Sequence, residues 1–265
     1  YNWRVPDTPS DKCLGLVLTK EERIASLDGV WTGEQPAAVT DVARYDVGDL
    51  SDAFLKDDAA RFCRVLGTEP LIVVNSGLGD VALATSEVEY ANGAPDTPMG
   101  RLRASHGRAE PYKVVWRGIG NEMYGNWQLG HMPLAQYVEK HNVFAKAMHA
   151  VDPSLKFVAV GAVGSWSETM LKNCAGNMHP MSEHFYCGAQ PGLLAHARQI
   201  PDNIRRIADA HRLYRASIPA LAGKDIRIAM DEWNYWYGPH VYGELGTRYF
   251  LKDALGIAAG LNEFA

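Results

Sequence analysis

The stretch VVWRGIGNE at residues 114–122 decides the fold class, and IRIAMDEWN at residues 226–234 repeats its pattern. Each begins as a short apolar run of the kind that is buried in a parallel sheet. Each then reaches a glutamate, Glu122 or Glu232, with asparagine and tryptophan close by in the sequence. A buried strand end does not tolerate such polar groups without compensation. The two stretches therefore predict two strands that each end at a functional carboxylate.

Strand-like and helix-like patterns alternate along the chain from residue 54 onward. Five strands are predicted, at 71–75, 114–122, 156–162, 181–186 and 226–232, with helices at 54–66, at 80–92, from Pro133 to Asp152, from Asp202 onward and at 248–261. Such repeats predict a parallel α/β sheet with ligands at the carboxyl ends of its strands. No glycine-rich phosphate loop follows any strand, which favours a (β/α)8 TIM barrel over a doubly wound sheet.

The predicted barrel is incomplete, because a closed barrel needs eight strands and the pattern supplies five. We therefore divide the chain into a partial (β/α)8 domain at residues 54–265 and an irregular N-terminal segment at residues 1–53. Strands that cannot close expose an edge, so we also expect either association of the chain or replacement strands from the N-terminal segment. A homo-oligomer is left open.

Composition excludes several classes of function. The chain has 265 residues, a net charge of −5 and interspersed charges, so nucleic acid is not an expected partner. It has no apolar run of membrane-spanning length, and we expect a cytoplasmic protein. Its four cysteines lie far apart and are expected to be reduced, while its nine histidines show no metal-binding spacing. We therefore predict no bound metal.

Two carboxylates at two strand ends suggest glycoside hydrolysis. One carboxyl group protonates the departing oxygen, and the second attacks the sugar or activates water. For that chemistry the proton donor of the pair should have a pKa raised by burial and by the second carboxylate, and the other carboxyl group should stay ionised.

Several motifs together resemble the catalytic domain of glycoside hydrolase family 51, the α-L-arabinofuranosidases. They are GNEM at 120–123, WQ at 127–128, SEHFY at 182–186, DEWN at 231–234 and Trp236, with further likeness at 66–70 and 74–77. The likeness extends over residues 54–265. It implies that the first, second and eighth barrel strands are not evident in this sequence.

The resemblance implies a retaining, exo-acting enzyme that needs no cofactor and removes terminal arabinofuranosyl groups from arabinan or arabinoxylan oligosaccharides. Glu122, on the fourth strand, would be the acid/base and Glu232, on the seventh, the nucleophile. Asn121 would bind the sugar 2-hydroxyl, and Tyr186 would orient Glu232 by donating its hydroxyl.

Further candidates for substrate binding are His184, Asn75, Trp127 and Trp236. Each also has a structural interpretation: His184 and Tyr186 as polar core residues, Asn75 as the cap of a turn, and the tryptophans as packing aromatics. Two alternatives for the whole chain stay open. One is an endo-glucanase or xylanase that uses the same carboxylates, and the other is a non-catalytic remnant with a carbohydrate-binding or structural role.

Overall fold

The structure is a computed structural model that describes residue 63 and residues 68–238 and 249–265. The predicted irregular segment at 1–53 lies outside the described residues. The predicted helix at 54–66 lies outside them too, apart from residue 63. Within the described ranges, no helix is both long enough and apolar enough to cross a bilayer.

Five parallel strands form one curved sheet in the order of the sequence, as predicted. They are β1 Leu71–Val74, β2 Trp116–Ile119, β3 Lys156–Val160, β4 Pro180–Cys187 and β5 Arg227–Tyr235. All four pairings are parallel. Strands that follow the chain order and run parallel form part of a barrel wall. The α/β fold class and the incomplete (β/α)8 TIM barrel are thereby confirmed.

Helices connect the strands and cover one face of the sheet. They are α1 Val81–Asn92, α2 Pro98–Ser105, α3 Leu134–Val151, α4 Ser165–Cys174, α5 Leu193–Ser217 and α6 Leu251–Phe264, with a 3₁₀ turn at Pro219–Leu221. Helix α1 begins where the Asp80 carboxylate accepts the Leu83 N–H at 2.8 Å. Pro133 is the N-cap of α3, where a missing N–H costs nothing.

The hydrophobic core lies between the sheet and these helices. Val74 and Ile119 pack there against Phe144 and Met148 of α3, all nearly inaccessible to solvent. On the opposite face, Val73 of β1 remains 47% exposed. In a closed barrel this second face would be packed with side chains.

Helix α5 corrects one sequence prediction. It begins at Leu193, not at the predicted cap Asp202, and it contains Pro201 in its interior. A proline followed by an aspartate imitates a helix start, but Ile200 and Ile204 on either side are buried against β4 and β5. Burial of these apolar side chains compensates for the hydrogen bond that an interior proline removes. Helices α2 and α4 were not predicted.

The two strands that carry the glutamates also end differently from the prediction. Strand β2 stops at Ile119, so Glu122 lies in the following turn. Strand β5 continues to Tyr235, so Glu232 lies inside it. The turn and the added strand length both shape the site described next.

Candidate active site

The turn after β2 presents Glu122 with an unusual backbone. Gly120 has φ of 79° and Glu122 has φ of 45°, a region that side chains other than glycine seldom occupy. A Cβ at Gly120 would lie 2.3 Å from the Ser76 hydroxyl, so glycine is required there for space as well as for conformation. Strained backbone of this kind persists where surrounding structure holds it, and such positions cluster at functional sites.

The Glu122 carboxylate is buried and strongly hydrogen-bonded. Its Oε2 accepts from Trp127 Nε1 at 2.6 Å and from Gln128 Nε2 at 3.3 Å. Its Oε1 lies 3.2 Å from Nδ1 of His184. Burial raises the pKa of Glu122, but the hydrogen bonds from His184, Trp127 and Gln128 outweigh it and hold the pKa below its ordinary value. The prediction of a raised pKa is wrong, because these donors all favour the charged form.

His184 of β4 lies at the centre of the site. Its Nε2 is 3.1 Å from Asp231 Oδ1 and 2.9 Å from the Ser182 hydroxyl, which itself donates to Asp231. Burial lowers the pKa of His184, yet the hydrogen bonds to Asp231 and Glu122 and the charge of Glu232 raise it to about 9. The imidazole is therefore protonated at neutral pH and partly neutralises three carboxylates.

Glu232 approaches Glu122 from across the curved sheet, since two strands separate β5 from β2. Its Oε1 accepts from the Tyr186 hydroxyl at 2.8 Å, and its Oε2 lies 3.6 Å from His184 Nδ1. One carboxylate oxygen of Glu122, one of Glu232 and a ring nitrogen of His184 all lie within 4.8 Å of one another. Two carboxylates thus face a common space with a protonated imidazole between them.

A β-bulge in β5 brings two consecutive acidic residues to this space. Ser182 pairs with Ala229, but His184 pairs with Glu232, so β5 holds one residue more than β4 over this interval. Met230 and Trp233 both pack toward the helices, which leaves Asp231 and Glu232 together on the other side. Without the extra residue, neighbours in a strand would point to opposite faces.

The pocket above these groups has a volume of about 270 Å³. It is lined by Asn75, Asn121, His184 and Glu232, among others. The side-chain nitrogen of Asn121 and the hydroxyl of Ser76 are buried and have no hydrogen-bond partner among the described residues. Buried polar atoms without a partner carry a penalty of about 1–3 kcal/mol each, which a bound ligand can remove.

The remaining predicted residues lie around this pocket. Asn75 caps the following turn, since its Oδ1 accepts the Leu78 N–H at 3.1 Å, and it also lines the pocket. Trp127 is 58% exposed. Trp236 meets Tyr186 edge to face, with 6.3 Å between ring centres. All eight predicted residues are therefore in the carboxyl halves of the strands or in the segments that follow them.

Sequence reasoning did not assign Ser182, Asp231 and Gln128 to the site. Ser182 and Asp231 hold the Nε2 side of His184, and Gln128 donates to Glu122. The Ser-x-His spacing was the available signal for Ser182, because alternate residues of a strand share a face. Nothing in the sequence marks the bulge that turns Asp231 inward.

Comparison with known proteins identifies the family. The sequence profile of the α-L-arabinofuranosidase 1 domain matches residues 40–206. A probable α-L-arabinofuranosidase C from Aspergillus fumigatus is 34% identical over an alignment of 262 positions, which covers 90% of this chain. The structure of a thermostable GH51 α-L-arabinofuranosidase from Thermotoga petrophila superposes with a TM-score of 0.71, at 32% identity over 78% of this chain. The chain belongs to glycoside hydrolase family 51.

The likeness to these α-L-arabinofuranosidases covers part of their length. This family 51 chain spans about half of the curated relatives it matches, with 50% of the Aspergillus protein covered and 42% of the Thermotoga chain. An intracellular exo-α-(1→5)-L-arabinofuranosidase from Bifidobacterium longum is 32% identical over an alignment of 198 positions, which covers 68% of this chain and 35% of that protein. The resemblance found in the sequence is confirmed.

Proposed function

We propose that this chain is the catalytic part of a retaining, exo-acting α-L-arabinofuranosidase. Its substrates are terminal non-reducing arabinofuranosyl groups of arabinan or arabinoxylan oligosaccharides. Glu232 is the nucleophile and Glu122 is the acid/base. The residues of this site need no cofactor for that chemistry, because two carboxyl groups suffice to break a glycosidic bond.

The observation that carries the proposal is the closeness of the two glutamates. Their nearest ligand oxygens lie within 4.8 Å, together with the His184 nitrogen. Retaining enzymes hold their carboxyl groups about 5–5.5 Å apart, whereas inverting enzymes leave roughly 6.5–9.5 Å for a water molecule. This geometry favours direct attack by Glu232 on the anomeric carbon.

The surroundings of the two glutamates support different roles. The Tyr186 hydroxyl donates to Glu232 and orients it for attack as a nucleophile. Glu122 must deliver a proton to the leaving oxygen, although its own pKa is lowered. His184 holds a proton 3.2 Å from Glu122 Oε1. In our proposal the imidazolium of His184 first passes its proton to Glu122, and Glu122 then delivers that proton to the glycosidic oxygen as the glycosidic bond breaks.

The polar groups of the pocket suit a sugar. The Asn121 side-chain nitrogen is buried and would gain a partner from a hydroxyl of the bound furanose. Trp127, half-exposed beside Glu122, and Trp236, beside Tyr186, present rings on which the C–H face of a sugar can stack. The name of the Bifidobacterium relative includes exo action and an intracellular location, and we extend both to this chain as a cytoplasmic enzyme.

The direct test is hydrolysis of a nitrophenyl α-L-arabinofuranoside by the purified chain. Proton NMR of the first-formed product should show arabinose of retained anomeric configuration. An inverted product would contradict the role of Glu232 as a nucleophile. Release of oligosaccharides from xylan or glucan, without arabinose, would instead indicate the endo-acting alternative.

Azide rescue separates the roles of the two glutamates. With added azide, Glu122→Ala should yield an arabinosyl azide of retained configuration, because the glycosyl-enzyme still forms on Glu232. Glu232→Ala should yield the azide of inverted configuration. Glu139→Ala, an exposed position on α3, is the matched control and should behave as the wild type. Equal loss in both active-site variants, without rescue, would count against these roles.

A second candidate is a carbohydrate-binding role without turnover. It is favoured because the matched region covers about half the length of the relatives, so that part of their structure lies outside the likeness to this chain. Arabinofuranosyl oligosaccharides would then bind, as seen by calorimetry, while no nitrophenol appears. Loss of that binding in Asn121→Ala would place the ligand in the same pocket.

A further inference from the structure

The side chains at the centre of the site, those of Glu122, His184 and Glu232, are of types that bind metal ions in proteins as well as of types that act in glycosidases. Glu122 and Glu232 offer one oxygen each and His184 offers Nδ1, all within 4.8 Å. The three residues are far apart in the sequence, so no spacing motif announces them. A histidine with two carboxylates and open positions toward a pocket is a donor set suited to zinc.

The distances are close to those that a metal requires. Zinc bonds to nitrogen and carboxylate oxygen are about 2.0–2.2 Å long, which sets neighbouring ligand atoms roughly 3.3 Å apart in a tetrahedron. His184 Nδ1 lies 3.2 Å from Glu122 Oε1 and 3.6 Å from Glu232 Oε2. The third distance, between the Glu122 and Glu232 oxygens, is within 4.8 Å. A rotation of one glutamate that moves its oxygen by roughly 1.5 Å would shorten this distance to the value that zinc requires.

Each of the three side chains also makes a hydrogen bond to another residue, through its other nitrogen or oxygen atom. His184 Nε2 lies 3.1 Å from the Asp231 carboxylate, the arrangement in which a metal-bound histidine usually donates its second N–H. Trp127 donates to the other oxygen of Glu122, and Tyr186 donates to the other oxygen of Glu232. These contacts fix the orientation of the atoms that converge, which is the main requirement for tight metal binding.

We propose that Glu122, His184 and Glu232 bind a divalent cation of the zinc class, which blocks the site. Binding releases the proton that the imidazole holds, since a ligating imidazole is neutral. The cation occupies the same oxygens that the proposed hydrolysis needs, so metal and glycoside exclude each other. The inhibitory consequence rests on the proposed function, whereas the binding itself does not.

The test is calorimetric titration of zinc chloride into the full 265-residue chain after removal of metals with a chelator. Wild type should bind one zinc ion that His184→Gln weakens by about a hundredfold or more, because a ligand is lost. Glu122→Gln is a second ligand variant, in case the histidine variant does not fold. His149→Gln, the same change at an exposed position of α3, should leave the affinity unaltered. Magnesium, which prefers oxygen ligands, should give no comparable heat.

Asp231→Asn sharpens the test, because it leaves all three ligands in place. Loss of a carboxylate behind a metal-bound histidine lowers affinity about 10–100-fold. Unchanged zinc affinity in both His184→Gln and Glu122→Gln, with folding verified by circular dichroism, would overturn the proposal. Zinc binding without any arabinofuranosidase activity would overturn the proposed function alone, and activity without a site-dependent zinc ion would overturn this inference alone.

Discussion

The two faces of the sheet are built on different principles. The helix-facing side is mainly apolar and closely packed, with Phe144, Ile207 and Met181 almost fully buried. The pocket-facing side, at the carboxyl ends of the strands, gathers three carboxylates around His184 and leaves a buried amide of Asn121 without a partner among the described residues. Packing on the first side stabilises the fold. That stability keeps the carboxylates and polar side chains of the second side close together. Four substitutions or conditions test this division.

The largest expected effect is the loss of activity in Glu232→Ala. Removing the proposed nucleophile should lower kcat at least about 10⁴-fold for nitrophenyl arabinofuranoside, as for other members of a covalent catalytic unit. The free energy of unfolding should stay the same or rise, because one of the crowded carboxylates is removed. Steady-state kinetics together with urea denaturation measure both quantities. A large loss of stability would show that the pocket side also supports the fold.

On the helix-facing side, Phe144→Ala should have the opposite profile. Its ring is 2% exposed and packs against β1 and β2, so truncation leaves a cavity. The free energy of unfolding should fall by about 3–5 kcal/mol. Zinc affinity and the relative rates for different leaving groups should be unaltered in the folded fraction. Changes in those properties would mean that the two faces are coupled.

The charge of His184 should appear in the pH dependence of stability. Its pKa is about 9 in the fold against an ordinary 6.5, so its stabilising contribution is complete below about pH 6.5 and is lost as the pH rises through about 9. That contribution is on the order of 3 kcal/mol, at about 1.4 kcal/mol per pKa unit. Urea denaturation in chelator-treated buffer should show this decline in wild type and not in His184→Gln.

Glu122 should have the opposite effect on the pH dependence of stability, at acid pH. Its pKa is lowered in the fold, so its contribution is present above the ordinary value of 4.5 and is lost as the pH falls below it. The alkaline test of His184 has a clear negative outcome. If the difference in the free energy of unfolding between wild type and His184→Gln stayed constant as the pH rose through about 9, the proposed charge state of the imidazole would be contradicted.

The smallest expected effect is that of Tyr186→Phe. The variant removes the hydroxyl that donates to Glu232 at 2.8 Å and keeps the ring against Trp236. A hydrogen bond to a charged group is worth about 1.5–3 kcal/mol, so kcat should fall roughly 10–100-fold. Because an oriented nucleophile affects the chemical step, KM should change little. A rise in KM at constant kcat would instead assign Tyr186 to substrate binding.

The sequence predicted the elements that its local patterns encode. Buried strands are short apolar runs, and β1, β2, β3 and β4 fall within a few residues of their predicted positions. Both glutamates and their neighbours were found because several motifs occurred together in order. Helix α5 was misplaced because Pro201 and Asp202 imitate a helix start, and long-range burial of Ile200 and Ile204 decided the outcome.

The electrostatics of the site could not be predicted from the sequence. The lowered pKa of Glu122 depends on hydrogen bonds from His184 and Trp127, which come from a different strand and from a turn. Asp231 joins the site because of a single extra residue in β5. Such features arise from three-dimensional register, which no local pattern records.

That extra residue makes the length of β5 as critical as its composition. Before the bulge Ile228 and Met230 face the helices, and after it Trp233 and Tyr235 do. Deleting one residue between Ala229 and Asp231 would restore simple alternation and rotate one of the acidic side chains toward the helices, although nearly every amino acid would be preserved. Between relatives of this chain, substitutions in β5 can therefore accumulate, while a one-residue insertion or deletion would erase the site in a single event.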